Sequence, residues 1–258
     1  MENIRIVDTN AENIHEYGMC GYKNLKYEGY KKKIEWVKKR FFEGMRYKIL
    51  YSEKEGAIGG IEYIPGEYSW RPIDVTGYMV IHCIYIIPKL YKQKGYGTQL
   101  LLECINDAKK EKLNGVAIVT RDGTWMAGKE LFLKNKFEVV DEAPPDFELL
   151  AMKFDKNAIN PKFKGDWESK RNKYNNGLVM IASDQCPYIE KALNEIGEKA
   201  ESEYGIKMKV IKYGNYKDVQ NSPCAFGTFC MLYKGVVITD HPISQKRFTN
   251  IMNKILKK

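Results

Sequence analysis

A strand and helix unit over residues 78–112 constrains the fold of this 258-residue chain more than any other feature. The stretch YMVIHCIYII, residues 78–87, is continuously apolar and rich in β-branched and aromatic residues, which predicts a central strand buried on both faces. The strand ends at Pro88, and the turn YKQKGYG leads into an amphipathic helix with Leu101, Ile105 and Ala108 on one face. A buried strand followed by a covering helix predicts an α/β protein.

The rest of the chain predicts two domains of ordinary size. Residues 3–8 alternate like a strand, and NAENIHEYGMCGY then predicts a helix start around Asn10. Residues 30–42 predict a helix, and RYKILYSE with GAIGGIEYI predicts a hairpin. Strand, helix and strand patterns then follow in GVAIVT, TWMAGKELFLKNK and FEVVDE. We expect a first domain at 1–153, a linker at 154–176 that lacks apolar periodicity, and a second domain at 177–258 with the order β-α-β-β-β-α, whose first helix begins at Pro187.

Composition limits the class of protein. The chain is 44% hydrophobic and 29% charged, and no apolar run approaches the roughly 18 residues of a membrane span. Its start, MENIRIVDTNAENI, lacks the basic and apolar regions of an export signal, so we expect a cytoplasmic protein without a membrane partner. Six scattered cysteines without a CxxC pair predict reduced thiols and no metal site.

The formal net charge of +9 predicts attraction to polyanions, which could be nucleic acid, anionic lipid or a phosphate-rich cofactor. The lysine-rich residues 23–48 carry no helix-turn-helix, finger or aromatic stacking pattern. Their charges are typical of a solvated helix face over an apolar stripe. Nucleic-acid binding is therefore the last-ranked alternative.

The turn before the 100–112 helix has the composition of an anion site. A helix N-terminus presents backbone N–H groups, and glycine lets a phosphate approach them closely. Two lysines supply balancing charge. The predicted cradle comprises Lys92, Gln93, Lys94, Gly95, Tyr96, Gly97 and Thr98. It is not a Walker loop and lacks the third glycine of a dinucleotide fingerprint, so an ordinary turn stays the alternative.

Residues 3–153 resemble the GCN5-related N-acetyltransferases. In that family an Arg/Gln-x-x-Gly-x-Gly/Ala turn after a strand holds the pyrophosphate of acetyl-CoA, and Lys92 to Gly97 fits this pattern. The stretch ELFLKNKFEVVDE is similar to the family's later helix and strand. The resemblance implies a curved mixed central sheet and acetyl-CoA as cofactor. It also implies that backbone N–H groups around Ile84, Tyr85 and Ile86 hold the thioester carbonyl.

The chain departs from the family pattern at three places. Lys92 stands at the Arg/Gln position, and the loop from Pro88 to Gly95 is one residue longer than the commonest form. Phe132 stands where many members carry the tyrosine that protonates the leaving thiolate, and Lys136 replaces a glycine. Phe132 can pack against the cofactor but has no proton to donate.

Candidate catalytic groups lie on the two predicted strands before the turn. His82 has the intrinsic pKa of a base, and Glu62 sits among apolar neighbours, where burial favours a useful pKa. Both could equally be hydrogen-bonded core groups. Tyr85 is the candidate for the missing acid. An acceptor pocket could use Glu67, Trp70 and Arg71 of PGEYSWRP, although this loop could equally be a packed lid.

The second predicted domain places Cys186 between a strand and a helix, where the helix dipole favours a thiolate. This resembles a thioredoxin-like fold, but the second cysteine of CxxC is missing, which disfavours a dithiol oxidoreductase. The ending FGTFCMLYKGVVITDHPIS resembles the YoaP-like domain. Cys186 and Cys224 are a candidate thiol site, with buried small hydrophobes as the alternative reading.

The sequence thus predicts an N-acetyltransferase that moves an acetyl group from acetyl-CoA to an amine by direct attack. The acceptor is a small-molecule or peptide amine of open identity, and a homodimer stays open. Two alternatives are retained: a catalytically weak module that senses acyl-CoA or an amine, and a monothiol thioredoxin-like binding protein centred on Cys186.

Overall fold

A computed structural model describes residues 3–123 and 125–257. By its internal contacts the chain divides into two compact units. The first unit consists of Met1–Tyr27, Ile34–Ser69 and Ile73–Lys164, and the second consists of Glu28–Lys33, Trp70–Pro72 and Gly165–Lys258. The sequence did not predict that residues 28–33 and 70–72 contribute to the second unit. None of the helices described is long and apolar enough to cross a membrane.

The first unit is built around a seven-stranded mixed sheet. Its elements in chain order are β1 (Ile4–Asp8), α1 (Glu28–Phe41, whose first residues belong to the second unit), β2 (Arg46–Ser52), β3 (Gly56–Pro65), β4 (Ile73–Asp74), β5 (Tyr78–Ile86), α2 (Tyr96–Lys110), β6 (Gly115–Thr120), α3 (Glu130–Lys134), β7 (Glu138–Ala143), β8 (Phe147–Lys153) and β9 (Lys162–Phe163). The strand order is β1-β2-β3-β5-β6-β8-β7, while β4 pairs with β9. Only β5 and β6 pair in parallel within the large sheet. The predicted α/β class with a mixed central sheet is confirmed.

One face of this sheet is covered by α2. Leu101, Cys104 and Ile105 of the helix lie in a single buried cluster with Ile61 of β3 and Ile81 of β5. The predicted helical stripe therefore forms the core, and β5 is almost wholly buried, as its apolar run indicates. This packing holds the start of α2 close to the end of β5, where the glycine turn lies.

Two predictions for local structure in the first unit are wrong. The helix start expected around Asn10 is a series of turns. The helix expected over TWMAGKELFLKNK is confined to Glu130–Lys134, and Trp125 near the predicted start has a φ of +78°, which is incompatible with a helix at that residue. Thr124, part of that prediction, lies outside the described residues.

The second unit contains a four-stranded sheet. Its elements are α4 (Trp167–Arg171), β10 (Leu178–Ala182), α5 (Ile189–Tyr204), β11 (Met208–Lys212), α6 (Tyr216–Gln220), β12 (Phe229–Tyr233), β13 (Val236–Thr239) and α7 (Gln245–Leu256). The strand order is β11-β10-β12-β13, with β10 and β11 parallel and the other pairs antiparallel. The predicted order from β10 onwards is found, with α6 added. The prediction that the first helix begins at Pro187 is wrong, since α5 begins at Ile189.

Candidate acyl-transfer site

The strands β5 and β6 diverge at the edge of the sheet where the glycine turn lies. They pair only from Tyr78–Ile81 to Gly115–Ile118, although β5 continues to Ile86 with β3 on its other side. Within the described residues, no strand pairs with the open side of β5 beyond Ile81. Backbone groups there, including those of Ile84, Tyr85 and Ile86, flank a wedge. An extended ligand can take the place of the missing strand, since N–H and C=O groups at a strand edge are available for pairing.

The glycine turn forms the start of α2 next to this wedge. Gly95 is the N-cap residue, with φ +82° and ψ −6°, and no side chain caps the helix. Gln93 also has a positive φ of +60°. A Cβ added at Gly95 meets nothing within 4 Å, so the space in front of the turn is open. Left-handed residues at a helix start turn successive N–H groups toward one point, which is the geometry of an anion site.

The remaining residues of the predicted cradle surround these amides. Lys92 and Lys94 are exposed, while Tyr96, Gly97 and Thr98 are partly buried in the first turn of α2. A Cβ added at Gly97 would lie 3.5 Å from Leu131, an ordinary van der Waals contact. Gly97 therefore faces α3, whereas Gly95 faces open space. Of the two glycines, Gly95 is the one whose side-chain space a phosphate could use.

A β-bulge brings Glu62 and His82 together behind the wedge. Glu62 pairs in register with Cys83, and Tyr63 pairs with Ile81, so His82 is an extra residue on β5. Its Nδ1 lies 3.4 Å from Oε1 of Glu62, and both side chains are buried, 0% and 1% exposed. A carboxylate beside an imidazole is an arrangement that can accept and pass on a proton. The two predicted bases thus form one pair.

Tyr85 lies on the same face and is part of a hydrogen-bonded chain. Its Oη lies 3.0 Å from Oη of Tyr47 and accepts a hydrogen bond of 2.9 Å from the backbone N–H of Cys20. A Cβ at Gly60 would be 3.0 Å from this Oη, so the absence of a side chain at Gly60 makes room for the phenol. Burial raises the pKa of Tyr85 and of Tyr47 well above the ordinary value, so both phenols stay protonated and able to donate.

Tyr47 and Cys20 are site residues that sequence reasoning missed. Tyr47 on β2 is in register with Glu62 on β3, so the two side chains share one face of the sheet. The predicted hairpin of β2 and β3 gives a weak signal for Tyr47, because its strand register places Tyr47 opposite Glu62. Cys20 has φ +52° in a tight turn closed by two hydrogen bonds between Met19 and Tyr22. Its CG dipeptide is a turn signal, but no sequence pattern places that turn over Tyr85.

Phe132 is part of the core. It is fully buried and packs edge to face on Phe137, with 5.5 Å between ring centroids. The ring belongs to the same buried cluster as Ile84 and Leu101, between the sheet and α2. A phenylalanine ring has no proton to donate, so no acid is supplied from this position.

The predicted acceptor residues Glu67, Trp70 and Arg71 are divided between the two units. Glu67 accepts a hydrogen bond of 2.9 Å from the backbone N–H of Gly77 and holds a turn in the first unit. Trp70 is fully buried, and Arg71, 4% exposed, donates to Gln185 Oε1 at 3.0 Å within the second unit. Neither unit therefore assembles all three residues into one pocket.

A cleft of about 530 Å³ opens in the first unit beside the end of β6. Four carboxylates and one ammonium line it: Asp122, Glu142, Asp146, Glu148 and Lys129. Lys129 bonds Glu148 at 2.7 Å and Arg121 bonds Asp146 at 2.6 Å, so two of the four carboxylates are paired within the protein and Asp122 and Glu142 remain. Because parallel strands end at the same edge of a sheet, the cleft lies at the edge where β5 and β6 diverge. The lining suits a cationic ligand.

The two cysteines of the predicted thiol site, Cys186 and Cys224, both belong to the second unit. Cys186 is partly buried in the turn before α5, three residues ahead of its first residue. Cys224 is buried, and its thiol donates a hydrogen bond of 3.3 Å to the carbonyl oxygen of Phe229. Within the part of the chain that the structure describes, no group of three or more His, Cys, Asp or Glu side chains could hold a metal ion.

Comparison with known proteins gives matches to both parts of the chain. Residues 208–250 match the YoaP-like family model. The chain is 29% identical over 254 residues to a Bacillus subtilis (strain 168) protein named "Uncharacterized N-acetyltransferase YoaP", covering 97% of this chain and 98% of that protein. The predicted resemblance to N-acetyltransferases with a YoaP-like C-terminal region is confirmed by these two matches.

Solved structures similar to the chain include two acetyltransferase folds. YncA of Salmonella typhimurium, a putative acetyltransferase with its cofactor acetyl-CoA, is 14% identical with a TM-score of 0.45 and covers 60% of this chain and 96% of that one. PaiA N-acetyltransferase of Thermoplasma acidophilum, in complex with coenzyme A, is 18% identical with a TM-score of 0.43. The match covers 59% of this chain and 99% of the PaiA chain.

Proposed function

We propose that the first unit is an acetyl-CoA-dependent N-acetyltransferase. The observation that carries the proposal is the juxtaposition of an open strand edge beyond Ile81 with an uncapped helix start at Gly95. The first feature suits the extended, amide-bearing arm of acetyl-CoA, and the second suits its pyrophosphate. The name of the Bacillus subtilis relative supports the same assignment.

Cofactor binding is assigned to the glycine turn and the edge of β5. Backbone N–H groups from Gly95 to Thr98 would hold the pyrophosphate, with Lys92 and Lys94 supplying positive charge. An N–H group in the segment from Ile84 to Ile86 would donate to the thioester carbonyl and stabilise the oxyanion that forms on attack. When bound, acetyl-CoA supplies an activated acetyl group.

Proton transfer is assigned to the bulge. The Glu62 and His82 pair would accept the proton of the attacking ammonium, directly or through water, so that the amine attacks as the neutral nucleophile. Tyr85, protonated because burial raises its pKa, would donate a hydrogen bond to the departing thiolate. Tyr47 orients that phenol through the 3.0 Å contact between the two hydroxyl oxygens. The reaction is a direct attack without a covalent enzyme intermediate.

The acceptor is proposed to be a cationic amine. The carboxylates of the cleft beside β6 favour a ligand that carries positive charge in addition to the reacting amine. A polyamine, an aminoglycoside-like compound and a lysine-containing peptide all have this chemistry. A neutral amine such as a simple aniline lacks it.

Measurement of amine-dependent release of coenzyme A tests the assignment. The protein is incubated with acetyl-CoA and each cationic amine in turn, and acetylated amine and free coenzyme A are both quantified by mass spectrometry. We expect equal amounts of the two products with at least one cationic acceptor and none when the amine is omitted. Release of coenzyme A that is the same with and without every amine would overturn the proposal.

A sensor of acetyl-CoA is the second candidate function. The buried Phe132, which cannot donate a proton, favours it because turnover would then rest on Tyr85 alone. Such a sensor binds acetyl-CoA but forms no acetylated amine. The same assay, combined with a binding titration, separates the two functions.

A further inference from the structure

A second cleft of the first unit lies at the opposite end of β5 from the glycine turn. Its volume is about 460 Å³, which is within the range of about 300–1,000 Å³ typical of small-molecule sites. Residues from β4, the start of β5 and the chain around β9 line it, including Asp74, Val75, Tyr78, Ile159, Pro161 and Lys162. The proposed acetyl transfer uses none of these residues.

One wall of this cleft is held in place by hydrogen bonds. The buried Tyr78 donates from its phenol to the carbonyl oxygen of Ile159 at 2.8 Å. The ammonium of Lys153 donates to the carbonyl oxygens of Lys156 and Ala158 at 3.0 and 3.2 Å. These three bonds fix the segment 156–159 before a ligand binds, and a wall formed in advance lowers the entropy cost of binding.

Two opposite charges line the cleft without pairing. Asp74 and Lys162 are directly opposite in the antiparallel register of β4 and β9, and both are exposed. Opposite charges at such positions usually attract each other into contact. Among the residues that the structure describes, however, neither side chain makes an ion pair or a hydrogen bond. A ligand that carries one charge of each sign therefore matches both groups.

Apolar side chains complete the lining. Val75 and Pro161 are buried, whereas Ile159 is 85% exposed. An isoleucine with this exposure favours contact with an apolar ligand group, because removal of apolar surface from water stabilises the bound state. The cleft thus combines a carboxylate, an ammonium and an apolar surface.

We propose that this cleft binds a free α-amino acid with a branched apolar side chain, such as leucine. The α-ammonium bonds to Asp74, the α-carboxylate bonds to Lys162, and the side chain packs on Val75 and Ile159. These three contacts differ in chemistry, so they also select one enantiomer, because the mirror image cannot place all three groups at once.

This site is separate from the proposed acetyl-transfer site. Tyr78 is the first residue of β5, and the strand segment that begins at Ile84 lies roughly 20 Å further along. An amine held at Asp74 therefore does not reach the thioester carbonyl. The bound amino acid is a ligand of the protein and is not an acetyl acceptor at this position.

Calorimetric titration of the full chain with L-leucine, without acetyl-CoA, tests the proposal. Two analogues each lack one charge: 3-methylbutylamine has no carboxylate, and 4-methylpentanoate has no ammonium. We expect L-leucine to bind at millimolar concentration or below, and D-leucine and each analogue to bind at least about tenfold more weakly. Absence of L-leucine binding, or binding of D-leucine or either analogue as tight as that of L-leucine, would overturn the proposal.

Charge substitutions assign the binding to this cleft. Asp74→Asn and Lys162→Gln each remove one charge from an exposed position, so the fold is kept, and each should weaken L-leucine binding at least about tenfold. Lys156→Gln changes an exposed lysine outside the cleft lining and is the matched control, with L-leucine affinity expected to equal that of the wild-type protein. Unchanged affinity in either cleft variant, or an equal loss in Lys156→Gln, would contradict the assignment. The wild-type titrations do not depend on whether these variants fold.

Discussion

Replacement of Gly95 by alanine tests the phosphate cradle with the least disturbance of the fold. Gly95 has φ +82° and no atom within 4 Å of an added Cβ, so the new methyl group meets solvent or the ligand. The left-handed backbone costs an alanine about 1–2 kcal/mol, which lowers Tm by about 2–8 °C for a chain of this size. The fold therefore survives, and any larger loss of cofactor binding must come from the ligand side.

The expected loss of affinity follows from hydrogen bonds to the pyrophosphate. A hydrogen bond to a charged group contributes about 1.5–3 kcal/mol, so displacing the phosphate from one N–H weakens acetyl-CoA binding by about 10- to 100-fold. Isothermal titration calorimetry measures the affinity, and urea unfolding measures the stability of the same sample.

Gly205→Ala is a matched control in the second unit. Gly205 ends α5 with φ +62°, and a Cβ there also meets nothing within 4 Å. The two variants should lose similar stability, but only Gly95→Ala should lose cofactor affinity. Equal acetyl-CoA affinity in Gly95→Ala and the wild-type protein would refute the cradle.

Three further variants test the proposed base, the proposed phenol donor and a buried carboxylate that stabilises the first unit. Glu62→Gln removes the carboxylate of the proposed base and should lower kcat/KM for the amine about 100-fold or more with unchanged acetyl-CoA affinity; an unchanged rate would remove Glu62 from the mechanism. Tyr85→Phe leaves the N–H of Cys20 without its acceptor and should cost about 1–3 kcal/mol in urea unfolding and also slow turnover; loss of stability alone would make Tyr85 structural. Burial alone would raise the pKa of Asp107, but hydrogen bonds from Tyr63 and Lys48 lower it below its ordinary value. The ionised carboxylate therefore stabilises the fold above the unfolded pKa of about 3.9, and this stabilisation is lost as the pH falls through the folded pKa. Asp107→Asn should lower the free energy of unfolding by about 2 kcal/mol at pH 7, which is less than the loss expected when a buried charge is left with no partner at all. It should also make that free energy fall less steeply as the pH drops in the acid range, and an unchanged fall would contradict the assignment.

The sequence predicted the elements whose signals are local and strong. The apolar run that became β5 and the helical stripe of α2 both lie where expected, because burial on both faces and a 3.6-residue period leave few alternatives. The glycine turn is predictable for a similar reason, because glycines placed just before a helix indicate positions that adopt a positive φ. Its left-handed N-cap at Gly95 is the expected geometry.

The features that sequence reasoning missed depend on register or on long-range packing. The bulge that places His82 beside Glu62 arises from how β5 pairs with β3, and no local pattern encodes it. Tyr47 reaches Tyr85 across Gly60, which only the strand pairing reveals. The hydrogen bond from the thiol of Cys224 to the carbonyl oxygen of Phe229 forms because a turn folds back on the following strand.

Binding of acetyl-CoA is the measurement that tests the central claim most directly. Calorimetric titration of the purified protein with acetyl-CoA is compared with titration by an adenine nucleotide that lacks the pantetheine arm and by an acetylated pantetheine that lacks the pyrophosphate. We expect one acetyl-CoA per chain, with each fragment binding at least about tenfold more weakly because each occupies only the turn or only the strand edge. Absence of acetyl-CoA binding, or equal affinity for a fragment without the pyrophosphate, would contradict a cofactor site at Gly95 beside β5.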